Sequence, residues 1–149
     1  ALKAAETGHV VFATIHTTDA LTTIGRIFSM FPAEEQQNVK ERLANNLRAV
    51  VSQRLLPKAL DEGRVVAQEI MINGPGIKKC IMGEEPLDEI YTYIKNGHKE
   101  STSQTFDQHI KALFEAKLIS LKTAKEAAKS PEDFERNLEF EDLDRVSGQ

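Results

Sequence analysis

The sequence has few of the residues that stabilise small proteins by covalent or metal bonds. It contains one cysteine, Cys80, and no tryptophan among 149 residues. A single cysteine excludes an internal disulfide and a CxxC zinc motif. Because a lone cysteine is usually a small buried side chain, we interpret Cys80 as a core residue rather than a nucleophile.

Long apolar runs and an excess of positive charge are also lacking. No apolar run approaches the roughly 20 residues that span a bilayer, and the sequence does not open with a signal-peptide pattern. The formal net charge is −4, and no basic face suited to nucleic acid is present. We therefore expect a cytoplasmic protein that neither inserts into a membrane nor binds nucleic acid.

Several catalytic motifs are missing. The sequence has no GxxxxGK[ST] phosphate loop and no GxSxG nucleophile elbow. Its four histidines are His9, His16, His98 and His109. On a strand, His9 and His16 would lie about 23 Å apart and on opposite faces, so they could not share a metal. We predict no metal site, and the chain taken alone has no complete active site.

The most informative stretch is an apolar run over residues 10–15 that follows Gly8. Such a run predicts a strand buried on both faces, as in parallel sheets, where chemistry lies beyond the carboxyl ends of the strands. His16, with Thr14 and Thr17, would then lie at the edge of a site. Two interpretations of His16 stay open, namely phosphate contact and capping of the next helix. We interpret His9, at the other end of the run, first as a turn residue.

The chain after this run divides into two patterns. Apolar residues at helical spacing predict a helix before Pro32 and another after it. Two β-like runs, residues 49–56 and 64–72, predict an antiparallel hairpin. The breaker sequence at residues 73–76 follows, and the chain beyond it has helical patterns.

Three polar signatures predict where helices begin in the second half. They are the capping-box residues 101–104, Ser120, and Ser130 followed by Pro131. The predicted domains are residues 1–74, residues 75–140, and an acidic tail of low order at 141–149. Because the sequence opens on a helix end followed at once by a central strand, we expect the C-terminal piece of a longer protein.

Five separated segments resemble the type IV pilus retraction ATPases, the PilT/PilU group of the secretion superfamily. Residues 4–18 resemble the His box of that group, and residues 104–108 its QTFDQ helix start. Between them, residues 31–35, 46–55 and 63–71 resemble its FPAEE segment, its SLxxVISQxL strand and its GRVAAxEIM strand, in the same order.

The resemblance implies an α/β fold, namely the C-terminal part of a RecA-like P-loop ATPase core (strand-helix-helix-hairpin) followed by a small all-helical region. It implies that the full-length protein is a homo-hexamer that hydrolyses ATP with Mg²⁺ to power pilus retraction and twitching motility. The motor would lie in the cytoplasm, peripheral to the inner membrane at the pilus base, with an inner-membrane platform protein as its partner.

The resemblance also implies roles for residues. His16 would be a catalytic group near the γ-phosphate and His9 the second histidine of the box, with Thr14 and Thr17 near the nucleotide phosphates. The Walker A loop, the Asp box and the Walker B acid would precede Ala1, so the chain alone would be inactive.

One segment departs from the family pattern. Residues 76–83 occupy the place of an AIRNLIRE-like motif, but only Ile77 and Ile81 match, and Lys78 stands for arginine. A retraction motor and an accessory paralogue therefore both stay open. Two further alternatives remain. One is a non-enzymatic module for hexamer assembly and partner docking. The other is a related type II secretion or pilus-assembly ATPase, which the single cysteine disfavours because those proteins usually carry a tetracysteine zinc element.

Overall fold

The structure, a computed structural model, describes residues 1–60, 62–98 and 102–138. In chain order its elements are α1 (Leu2–Glu6), α2 (Ala20–Ser29), a 3₁₀ turn (Ala33–Glu35), α3 (Gln36–Asn46), β1 (Ala49–Pro57), β2 (Arg64–Ile72), α4 (Pro75–Met82), α5 (Glu89–Asn96), α6 (Phe106–Glu115) and α7 (Leu121–Ala127). A last helix, α8, covers residues 131–138. Within these ranges, no helix combines the length and the apolar character that crossing a membrane requires.

Strands β1 and β2 pair with each other in a two-stranded sheet. They are antiparallel because the short connection between them leaves no room for the crossover that parallel pairing needs. The predicted hairpin is therefore confirmed. Side chains alternate between its faces, and β2 turns Ala67, Glu69 and Met71 inward, each buried. This inward row contains one carboxylate between two apolar residues.

The chain forms two compact units. The first comprises Ala1–Gln53 and Glu69–Thr105, and the second comprises Arg54–Gln68 and Phe106–Gln149. Each strand of the hairpin contributes to both. The predicted boundary after residue 74 stays a prediction, and the predicted acidic tail at 141–149 lies outside the described residues.

The core of the first unit is built by helices α2 to α5 around Met71. Its buried members are Ala20, Ile24, Leu43, Ala44, Met71, Ile77, Cys80, Ile81, Ile90 and Ile94. They recur at the three- and four-residue spacing that places side chains on one helix face. The sequence prediction of helices on both sides of Pro32 is confirmed, as is the burial of Cys80, which is 2% exposed.

The core of the second unit is formed by α6, α7 and α8 with the distal part of the hairpin. Its buried members are Leu56, Ala67, Phe106, Ile110, Leu113, Ile119, Ala124 and Phe134. The Ser120 hydroxyl accepts a hydrogen bond from the Thr123 amide and caps α7 as predicted. The ring Nδ1 of His109 accepts the Gln68 amide at 2.8 Å. Nδ1 of His109 therefore serves as an acceptor for a backbone amide of β2.

The predicted helix start at residues 101–104 is wrong. Helix α6 begins at Phe106, and Ser101 lies outside the described residues. The backbone of Gln104 instead exchanges two hydrogen bonds with Ile70, at 2.8 and 2.9 Å, in an antiparallel bridge. The amide and carbonyl of Gln104 therefore bond to Ile70 of β2, which is distant in sequence, although the local capping pattern predicts that Gln104 lies at a helix start.

The predicted strand over residues 10–15 is also absent from the described structure. Residues 9–17 have no regular secondary structure, and Val10 and Phe12 are 84% and 94% exposed. A strand needs a neighbour for its backbone groups, and the sheet in the described residues consists of β1 and β2 alone. The expectation that His9 and His16 lie on opposite faces of a strand rested on this strand, and the described structure gives it no support.

Candidate functional site

His9 lies just after α1, which an ion pair fixes to α3. The Arg42 guanidinium donates to both carboxylate oxygens of Glu6, at 2.5 and 2.9 Å. The Thr7 hydroxyl donates to the Ala4 carbonyl at 3.0 Å, and the same oxygen lies 3.0 Å from Nδ1 of His9. Which of the two groups donates in that second bond depends on the tautomer of the His9 ring. In either case the bond holds the ring beside the end of α1.

Thr14 and His16 lie on the exposed segment that follows. Both residues are exposed, and neither side chain bonds to another described residue. Within residues 1–60, 62–98 and 102–138, no three His, Cys, Asp or Glu side chains come together as a metal site requires. His16 and Thr14 therefore offer an imidazole and a hydroxyl to solvent, and both groups can donate to a phosphate oxygen.

The segment ends at the N-terminus of α2, where Asp19 is the cap. Its side chain accepts the Thr22 amide at 2.7 Å and the Thr18 hydroxyl at 2.8 Å. This is the usual way in which an N-cap aspartate satisfies a free helix amide. The cap of α2 is therefore Asp19, three residues after His16, and not His16 itself.

Thr17 is joined to α2 by a chain of hydroxyl bonds. The Thr23 hydroxyl donates to the Asp19 carbonyl at 2.8 Å, and it lies 2.6 Å from the Thr17 hydroxyl. Because Thr23 has already used its one hydrogen, Thr17 must donate in the second bond. Thr17 therefore retains only acceptor capacity, and it could donate to a phosphate oxygen only after giving up Thr23.

A second carboxylate at this helix start was missed by the sequence analysis. Glu69 is 5% exposed, and its Oε1 accepts the Ala20 amide at 2.9 Å across 49 residues of sequence. A signal was available, because Glu69 occupies a core-facing position in an otherwise apolar strand run. Buried carboxylates persist only where hydrogen bonds or charges compensate them.

The segment that departs from the family motif, residues 76–83, forms most of α4 and its C-terminal glycine. Glu85 accepts the Tyr93 hydroxyl at 2.7 Å, and the Cys80 thiol points toward the same oxygen at 4.0 Å. Burial, and then the nearby Glu85 charge, raise the pKa of Cys80. The hydrogen bond to Glu85 is the main reason that the pKa of Tyr93 is raised. A thiol with a raised pKa is a poor nucleophile.

The free donors on this segment are the Thr14 hydroxyl and the His16 imidazole, both exposed. Imidazole N–H and hydroxyl groups suit phosphate oxygens. Mg²⁺ prefers carboxylate and water oxygens in an octahedral arrangement, and the Asp19 carboxylate is already engaged by Thr18 and Thr22. His16 and Thr14 are thus suited to contact phosphate, while the segment itself supplies no ready ligand set for Mg²⁺.

Comparisons with known proteins give a consistent result. The chain is 46% identical over 134 residues to the type IV pilus retraction ATPase PilT of Pseudomonas aeruginosa strain PAO1, covering 90% of this chain and 38% of PilT. It is 40% identical over 132 residues to a twitching motility protein of Neisseria gonorrhoeae, covering 89% of this chain and 35% of that protein.

The solved structures agree. The crystal structure of the pilus retraction motor PilT with bound ADP matches with a TM-score of 0.76 and 39% identity, covering 91% of this chain and 37% of that one. The fold class predicted from the sequence, a mixed helix and strand portion of a secretion-type ATPase, is thereby confirmed. The chain spans less than two fifths of the length of these relatives. The family model for type II/IV secretion system proteins matches residues 1–109, and the chain belongs to this family.

Proposed function

We propose that this chain is the C-terminal portion of a hexameric P-loop ATPase that powers type IV pilus retraction and twitching motility. The observation that carries the proposal is the 46% identity to PilT over 134 residues. Five local sequence segments and the backbone match to the PilT motor support the same conclusion. The phosphate loop, the Asp box and the Walker B acid belong to the part of the relatives that this chain does not span.

In this proposal, His16 and Thr14 contact the terminal phosphate. Bound ATP with Mg²⁺ supplies the phosphoryl group that is transferred to water. The His16 imidazole directs an N–H at a phosphate oxygen and stabilises the negative charge that develops there, which is the main kind of protein contribution to such reactions. Both side chains are exposed in the described chain, so no contact has to break before they bind phosphate.

Thr17 and His9 have weaker claims. Thr17 donates its hydroxyl hydrogen to Thr23 and so contributes an acceptor rather than a donor near the phosphate. His9 lies beside the end of α1, where its Nδ1 is hydrogen-bonded to the Thr7 hydroxyl. We assign His9 to a contact between subunits of the homo-hexamer rather than to the phosphate. The motor would act in the cytoplasm against an inner-membrane platform protein at the pilus base.

The test is His16→Ala in the full-length protein. Loss of one donor to the developing charge is expected to lower kcat for ATP by about 100- to 1,000-fold. Because His16 is exposed, the variant should keep the circular dichroism spectrum and melting temperature of the wild type. His9→Ala is the matched histidine control, and it should lower kcat less unless hexamer assembly, read by size-exclusion chromatography, is also lost.

Unchanged turnover in His16→Ala would refute the phosphate role. A wild-type full-length protein that assembles without hydrolysing ATP would favour the alternative, a non-enzymatic module for hexamer assembly and docking. The altered segment at residues 76–83 bears on a narrower choice, between a retraction motor, an accessory paralogue and a related secretion or assembly ATPase. Pilus retraction by a strain that carries this protein as its sole motor would establish the first.

A further inference from the structure

Glu69 is a buried carboxylate in a row of core residues. It lies on β2 between Ala67 and Met71, both 0% exposed, and is itself 5% exposed. Keeping a carboxylate at such a position costs free energy unless its oxygens receive hydrogen bonds. A hydrophobic residue would fill the same row without that cost. The presence of Glu69 therefore calls for an explanation other than packing.

The partner of Glu69 is the first residue of α2. Oε1 of Glu69 accepts the Ala20 amide at 2.9 Å, and this bond is buried. Ala20 lies four residues after His16 in the sequence and is itself fully buried. Asp19 takes a different amide of the same helix end, that of Thr22. One carboxylate therefore caps α2 locally, while the other ties its start to a strand that is distant in sequence.

We infer that Glu69 is a positioning residue that fixes residues 16–19 relative to β2 and thereby sets where His16 meets the nucleotide. This inference rests on the proposed ATPase function. The His16 side chain has no bond of its own among the described residues, and its neighbour Thr17 is bonded to Thr23 of α2. The placement of His16 therefore depends on where the start of α2 is held. Small displacements of a reacting group are costly, since about 1 Å can lower a rate by about 100-fold.

The experiment compares Glu69→Gln and Glu69→Met in the full-length protein. Glutamine keeps an oxygen acceptor for the Ala20 amide, whereas methionine keeps a similar length without one. We expect kcat for MgATP to fall by about 10- to 100-fold in Glu69→Met with little change in KM. Glu69→Gln should keep most of the wild-type kcat. In the His16→Ala background, Glu69→Met should cause no further loss, because it acts through His16.

Met71→Ala is the control for a purely structural effect. It opens a cavity in the same buried row and should lower the melting temperature, but it should leave kcat unchanged at temperatures below unfolding. If Met71→Ala lowered kcat as much as Glu69→Met at equal loss of melting temperature, the positioning role would be refuted. A Glu69→Met variant with wild-type kcat would also refute it. The same conclusion would follow if the two substitutions Glu69→Met and His16→Ala lowered kcat independently, so that their effects multiplied in the double variant.

Hydrogen exchange separates this inference from the proposed function. In Glu69→Met, the peptide that contains the Ala20 amide should exchange at least about tenfold faster than in the wild type, and in Glu69→Gln it should not. Equal exchange in all three proteins would overturn the anchor, whatever the ATPase assay gives. A wild type without ATP hydrolysis would refute the proposed function instead, while the exchange result would still decide whether Glu69 holds the segment.

Discussion

Gly76 is the residue whose replacement the structure constrains most clearly. A Cβ atom built on Gly76 would collide with the ring of Tyr93, and that ring is held by the bond of its hydroxyl to Glu85 at 2.7 Å. In a helix, glycine to alanine normally stabilises by about 0.5–1 kcal/mol. Overpacking reverses this sign, so Gly76→Ala is expected to lower the free energy of unfolding by about 1–3 kcal/mol in urea titrations.

Gly25 provides the matched control for that substitution. It also lies inside a helix, α2, but a Cβ at Gly25 meets nothing within 4 Å. Gly25→Ala should therefore raise the free energy of unfolding by up to about 1 kcal/mol. We expect the change in the free energy of unfolding to have opposite signs in the two variants. A stabilising Gly76→Ala would show that Tyr93 moves aside without cost.

At the scale of elements, an ion pair between Glu6 and Arg42 joins α1 to α3, and Leu2 packs against the core of the first unit. The hydrogen bond from Arg42 is the main reason that the pKa of Glu6 lies below its ordinary value of 4.5. A carboxyl with a lowered folded-state pKa stabilises the fold above its unfolded-state pKa, and this contribution is lost as the pH falls through the folded-state value. The wild type should thus exceed Glu6→Gln in stability at neutral pH and approach it in acid below pH 4.5.

Chemical unfolding of both proteins across this pH range measures the effect. Adding salt should shrink the difference, because the pair is exposed to solvent. Arg42→Met is the control background, in which Glu6→Gln should have a much smaller effect, because only the attraction of Lys3 then remains to lower the pKa of Glu6. A difference between wild type and Glu6→Gln that persists undiminished in acid would contradict the assignment of the charge to Glu6.

Most elements with local signals were predicted correctly from the sequence, the exception being the helix start at residues 101–104. Helices α2 and α3 have apolar residues at helical spacing, Ser120 caps α7, and the two β-like runs are close enough to pair as a hairpin. The strand over residues 10–15 was predicted from its apolar content alone. That content supports a strand only where neighbouring strands pair with it, and the described residues supply none. Whether a segment pairs as a strand therefore depends on the strands beside it as well as on its own sequence.

The candidate site shows the same division between local and long-range information. His16, Thr14 and Thr17 were identified because they follow one apolar run, and their functional roles stay predictions. Glu69 was missed because its partner lies 49 residues away in sequence. The donor direction of Thr17 was also beyond sequence reasoning, since it depends on Thr23 having spent its hydrogen on the Asp19 carbonyl. A carboxylate in an apolar strand was the single usable signal.

For the whole molecule, the last prediction follows from how short the chain is compared with the proteins it resembles. The chain spans 38% of PilT, and its sequence contains no GxxxxGK[ST] loop, whose backbone amides and lysine cradle phosphates in P-loop enzymes. His16 and Thr14 alone offer too few donors to hold a triphosphate. Residues 1–149 expressed alone should therefore show no ATP hydrolysis above buffer in a phosphate-release assay.

The control is the full-length protein at the same subunit concentration, which hydrolyses ATP if the proposed function holds. Circular dichroism of residues 1–149 must first show helix and strand, so that inactivity is not mistaken for unfolding. Hydrolysis by residues 1–149 that survives purification, and that His16→Ala abolishes, would contradict the prediction. In that case the phosphates would have to be held by residues of this chain, with His16 as a principal ligand rather than one half of a divided site.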